Sequence, residues 1–121
     1  MTTRQELRRA YEATPRPMGI YRVLNLRDGR ALVGRSVDLP AILNRERAAL
    51  RFGAHYIAEL QRDWNALGPD AFAFEVLDTL PPVERPGYDP GDDLRVLEGL
   101  WLERLQPWGE RGYTPRPPSP R

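Results

Sequence analysis

The sequence predicts an α+β fold: a small three-stranded β-sheet, built from an N-terminal β-hairpin and one later strand, flanked by helices. Three observations carry this. Two runs of strand-forming residues are separated by an Asp-Gly pair, a strong hairpin signal. Three later segments repeat apolar residues at helical spacing. A single further run, Phe72 to Leu80, alternates as a strand.

The elements follow in order. Thr3 to Ala13 has a short helical pattern, stopped by Thr14-Pro15-Arg16-Pro17, since proline lacks a donor and restricts its predecessor. Met18 to Leu26 and Ala31 to Gly34 are the hairpin strands around Asp28-Gly29. Ser36 to Pro40 reads as a helix start, and Leu39, Ile42, Leu43, Ala49 and Leu50 form its stripe up to Arg51, with Gly53 as the stop. A second helix is expected from His55 to Leu67, with Ile57, Leu60, Trp64 and Leu67 inward. The third strand places Phe72, Phe74 and Val76 on one face. After a proline-rich acidic loop, Asp92 or Asp93 caps a third helix to Leu105, striped by Leu94, Leu97, Trp101 and Leu105. The organisation expected is a helical lead-in (residues 1–17), one domain (18–114), and a proline- and arginine-rich disordered tail (115–121).

At 121 residues the chain suits one domain. It has no cysteine, so disulfides and thiolate metal sites are excluded. No apolar run approaches the roughly 20 residues of a membrane span, and the charged start is no secretory signal, so a cytoplasmic chain with no membrane contact is expected. All 18 basic side chains are arginine, whose planar fork suits phosphate or carboxylate. The net charge of +1 hides an asymmetry. Residues 16–51 carry eight arginines against Asp28, Asp38 and Glu46 (+5), and residues 52–103 carry three against eleven acids (−8). A basic N-terminal half suits a polyanion; pairing between the halves is the alternative.

Gly19-Ile20-Tyr21 on the first strand and Leu32-Val33-Gly34 on the second form a pair of motifs. Gly34-Arg35-Ser36, His55, Leu60-Gln61, Trp64-Asn65, Phe74-Glu75-Val76-Leu77, Leu97-Glu98, Trp101 and Arg111-Gly112-Tyr113 follow in order. Over residues 18–114 this series resembles the GIY-YIG nuclease family, and specifically a divergent bacterial subfamily with a degenerate second half-motif. The resemblance implies hydrolysis of a DNA phosphodiester with one divalent ion, Mg²⁺ or Mn²⁺, and no small-molecule cofactor. By the same resemblance Tyr21 activates the nucleophile, Glu98 holds the metal, Arg45 or Arg35 clamps the phosphate and His55 assists. Arg22, Arg35, Arg45 and Arg47 are the candidate DNA-phosphate contacts.

The residue types have their own logic. A phenol ionises near pH 10, so a basic Tyr21 needs a nearby cation; the alternative is a packed strand tyrosine. Glu98 shares a helix face with Leu94, Trp101 and Leu105, where a carboxylate needs a metal or an arginine partner. Glu46, on the inward side of the first long helix, stands where the family often has histidine; an ordinary helix-edge glutamate is expected, with Arg35, Arg45 or a metal as its other partners. His55, the only histidine, could meet phosphate, shuttle a proton or cap a helix. Gly99 is expected to let its helix approach the hairpin. Trp108 and Tyr113 are expected to fold back on the domain. Leu32, Ile42 and Thr114 replace the second tyrosine, the arginine and the asparagine of the family pattern. That opens a second reading: a catalytically degenerate DNA-binding or protein-interaction module.

Overall fold

The computed structural model describes Thr3 and residues 16–117. The expected lead-in helix and the end of the tail lie outside the described residues.

The hairpin forms as its sequence dictates. Strand β1 (Met18–Asn25) turns through Asp28-Gly29 into β2 (Ala31–Ser36). Asp28 accepts from the Arg30 amide, and Gly29 adopts φ +82°, which suits glycine. β2 runs two residues past the expected end, because Gly19 pairs with Ser36 and Ile20 with Arg35. Strand β3 (Phe72–Leu80) lies on the other side of β1, giving the order β2-β1-β3, antiparallel throughout.

Helices cover both faces. Helix α1 (Leu39–Arg51) is capped by Asp38, whose carboxylate accepts from the Ala41 amide, with Pro40 in the first turn. Helix α2 runs over Ala58–Leu67 and ends at Gly68, φ +87°. Leu50, Leu60 and Trp64 from these helices bury Val23, Leu32 and Phe72. Helix α3 (Gly91–Leu105) packs Leu97, Trp101 and Leu105 against Ile20, Val33 and Leu77 on the opposite face. The chain then returns along the outer edge of β2: Gly112 bridges Ala31, and Thr114 Oγ1 accepts from the Val33 amide. Tyr113 is buried there, as expected. No helix among the described residues is long and apolar enough to cross a membrane.

Several expectations are corrected. α2 starts at Ala58, not His55, because His55 folds into the preceding loop. Its amide donates to the Gln61 side chain, and its ring nitrogen Nδ1 accepts from the Ile57 amide. Asp92 and Asp93 lie in the first turn of α3, and Pro90 occupies the cap. Leu67 is 38% exposed at the last turn of α2. Gly99 faces outward with nothing near the position of a Cβ, so it brings α3 no closer to the sheet.

Candidate active site

β1 alternates its side chains, so Tyr21 points to the α1–α2 face and Arg22 to the α3 face. The Tyr21 ring crosses from the central strand over Gly34 of the edge strand. A Cβ at Gly34 would lie 2.8 Å from the phenol oxygen and 2.9 Å from Cε1 and Cζ. Glycine is required here to make room for the ring. The ring is buried, with Tyr21 5% exposed, at the Gly34–Ser36 end of β2, beyond the Ala31 and Val33 positions that residues 112–114 tie down.

One carboxylate meets the phenol there, with a histidine behind it. Its Oη donates to Glu46 Oε1 at 3.4 Å. His55 Nε2 lies 2.5 Å from the other oxygen, Glu46 Oε2. The hydrogen bonds assign the imidazole tautomer: Nδ1 accepts from the Ile57 amide at 3.0 Å, so Nε2 carries the proton and donates to Glu46. Glu98, on α3, does not bond the phenol and is paired with Arg35. Burial first, then the Glu46 charge, push the Tyr21 phenol well above its ordinary range, with Tyr56 and Glu98 adding to the effect. Tyr21 is therefore a neutral phenol at physiological pH.

Glu98 is held by Arg35, whose Nη1 donates to Oε1 at 2.6 Å. Its side chain is 18% exposed and that of Arg35 43%. The arginine alternative and the site position foreseen for this carboxylate thus coincide. The rest of the Arg35 fork points outward and offers further donors. The exposed Arg45 lines a cleft of about 390 Å³ with Ile42, Ser36 and the Arg16–Asp38 pair, at the same end of β2.

The other sequence candidates lie elsewhere. Arg22 bonds Glu75 at 3.0 Å and lines a cleft of about 350 Å³ on the α3 side, away from Tyr21. Arg47 stacks over Phe74, 4.6 Å from the ring centroid. His55 has a fully buried side chain with both nitrogens engaged, so it does not reach the open surface. Arg30 in the hairpin is paired by Asp28, Glu59 and Asp63 and lies over Tyr113. Pairing between the basic and acidic halves therefore absorbs much of the charge asymmetry.

Two residues escaped the sequence. Glu46 is not an ordinary helix-edge glutamate: it is 4% exposed and shared between Tyr21 and His55, without an arginine. Its inward position on the helix stripe was the available signal. Tyr56 stacks on His55 with centroids 4.6 Å apart and stays 70% exposed; only its place beside His55 pointed to it.

A three-stranded antiparallel sheet between helices has solved counterparts. The catalytic domain of the homing endonuclease I-TevI matches with a TM-score of 0.65 and 26% identity, over 80% of this chain and 96% of that domain. A second structure of that domain, carrying a glutamate-to-alanine substitution, matches with a TM-score of 0.61 and 26% identity, over 74% and 84% respectively. This chain has the GIY-YIG fold. No family model matches it, and no curated protein sequence does.

Within the GIY-YIG fold the departures now have locations. Leu32 is a core residue, 2% exposed, packed where a second tyrosine is expected. Ile42 lines the Arg45 cleft. Thr114 ties down β2 through the Val33 amide and supplies no amide side chain. Of the sequence candidates, Glu98 alone offers a carboxylate to a hard cation. Glu98 is a part-exposed carboxylate at the mouth, and the described residues contain no cluster of three His, Cys, Asp or Glu groups. Mg²⁺ commonly uses one or two carboxylates and fills its shell with water and phosphate.

The buried phenols fix the sign of one pH effect. Tyr113 is also raised, by burial and then by its hydrogen bond to Asp63. Both phenols stay protonated in the folded chain above about pH 10, where unfolded tyrosines ionise. Their contribution to stability is complete below about pH 10 and lost as pH rises past it. Melting temperatures measured from about pH 9 to 11 should fall more steeply in the parent than in a Tyr21→Phe variant.

Proposed function

We propose that the chain is a divalent-metal-dependent DNA endonuclease that hydrolyses phosphodiesters with an altered GIY-YIG site. The observation that carries this reading is the placing of Tyr21, laid over Gly34, and of the Arg35–Glu98 pair at neighbouring positions of the same end of β2. Glu98 would hold the ion. When bound, the ion supplies charge stabilisation on the phosphate oxygens. Tyr21 orients the attacking water through its oxygen. The outward donors of Arg35, and Arg45 in the adjoining cleft, bind the phosphate in planar forks. His55 acts from the interior, by holding Glu46. The solved relatives are named as endonuclease catalytic domains, which supports DNA as the substrate.

Supercoiled plasmid incubated with the protein in Mg²⁺ or Mn²⁺, against a chelator control, tests the proposal. Conversion to nicked circles only with metal is the expected result. A second reading, a binding module without cleavage, is favoured by the Arg35–Glu98 ion pair, which occupies the metal carboxylate, and by Leu32 in place of a tyrosine. Gel retardation that weakens steeply with salt, without nicking in any metal, would support it. Neither binding nor nicking would leave a protein-interaction domain.

A further inference from the structure

Glu46 is a buried carboxylate whose hydrogen-bond partners among the described residues include no guanidinium. It is 4% exposed. Among the described residues, one close partner is His55, whose Nε2 donates to it while Nδ1 accepts from the Ile57 amide. Buried carboxylates are ordinarily compensated by a guanidinium or replaced by an apolar side chain. Glu46 instead takes one neutral donor on each oxygen, and one of them is the phenol of the proposed site.

We propose that Glu46 is the proton acceptor of this site, receiving through Tyr21 the proton that the attacking water releases. The proposal rests on the nuclease reading and assigns its missing base. As the water oxygen bonds to phosphorus, its proton passes to Tyr21 Oη, while the phenol's own proton passes to Glu46 Oε1. The bond from phosphorus to the leaving sugar oxygen breaks, and that oxygen takes a proton from solvent. Tyr21 ends as it began and Glu46 ends protonated, returning its proton to solvent by the same path once product leaves. A free phenolate, opposed by burial and by the adjoining Glu46 carboxylate, never forms. His55 keeps Glu46 Oε2 in place and leaves Oε1 for the phenol. The 3.4 Å separation is of the kind that shortens when substrate closes a site.

The test uses single-turnover plasmid nicking by the parent, Glu46→Gln, Tyr21→Phe and the double variant. Glutamine keeps the length and a hydrogen-bonding oxygen for His55 but cannot accept the proton. Each single variant is expected to lose about a hundredfold or more, and the double no more than the worse single, because the two act as one unit. The parent rate in H₂O–D₂O mixtures should report two protons in flight, and Glu46→Gln should lose that curvature. A purely structural Glu46 would leave the curvature unchanged. Nitrogen-15 shifts of His55, with Nε2 protonated and Nδ1 accepting, verify that the variant site is intact. If glutamine unfolds the chain, Tyr21→Phe decides instead, since it leaves the Glu46–His55 pair standing: loss of the curvature supports the relay and its persistence refutes it. A folded Glu46→Gln that nicks within about threefold of the parent, or losses that multiply in the double variant, overturns the relay alone. A parent that nicks no DNA overturns the nuclease reading and the relay with it.

Discussion

Replacing Glu98 by alanine is expected to abolish metal-dependent nicking while strengthening the grip on DNA. The two effects have different origins. Cleavage should fall about a thousandfold or more, equivalent to ~4 kcal/mol, because the carboxylate proposed to hold the ion is gone. Binding should tighten because a negative charge leaves the mouth and the Arg35 guanidinium, now paired at 2.6 Å, becomes free for phosphate. Stability should barely change, since an ion pair with Arg35 43% exposed contributes at most about 1 kcal/mol. Nicking assays, gel retardation and a melting curve on one preparation check all three. Unaltered nicking by a folded Glu98→Ala protein would refute the metal role. Weakened binding would show that Glu98 acts by orienting Arg35.

The residues legible in the sequence are those whose signal is local. Tyr21 and Glu98 stood out through motif and helix stripe, and the structure brings them to the same end of β2. The hairpin, the three described helices and the third strand were equally readable, because hydrophobic period and turn residues act over short spans. What escaped depends on docking between distant segments. The pairing of Glu46 with His55 exists only because the loop ahead of α2 folds back, tied by the Gln61 side chain and the Ile57 amide. No pattern within either segment encodes that closure. The separation of Arg22 from the site follows from strand alternation and could have been read beside Tyr21. The role of Arg35 divides in the same way: its charge was visible, but its pairing with Glu98 joins β2 to α3 across 63 residues.

The two signature glycines should fail in different ways, and the difference separates scaffold from chemistry. Between Ile20 and Tyr21 the β1–β3 register shifts: Ile20 faces Asp78 while Tyr21 faces Val76, so Leu77 is an extra residue, a β-bulge. Gly19 lies against this bulge. A Cβ there would stand 1.9 Å from the Asp78 carbonyl oxygen and 2.7 Å from the Thr79 Cα. Both obstacles are backbone, so no rotamer relieves them, and Gly19→Ala must pull β3 away from the central strand. A loss of about 3 kcal/mol is expected, lowering the melting temperature by roughly 15 °C in a domain of this size. At Gly34 the added Cβ meets the Tyr21 ring instead, a side chain that can turn aside. Gly34→Ala should therefore keep its fold, with a melting temperature within a few degrees of the parent. Displacing the phenol by about an ångström from Glu46 should nonetheless cost about a hundredfold in nicking. Thermal melts and nicking rates on the two variants measure this directly. A stable Gly19→Ala would mean that the bulge is not what demands glycine in the first motif, and an active Gly34→Ala would mean that the phenol need not lie across the edge strand to work.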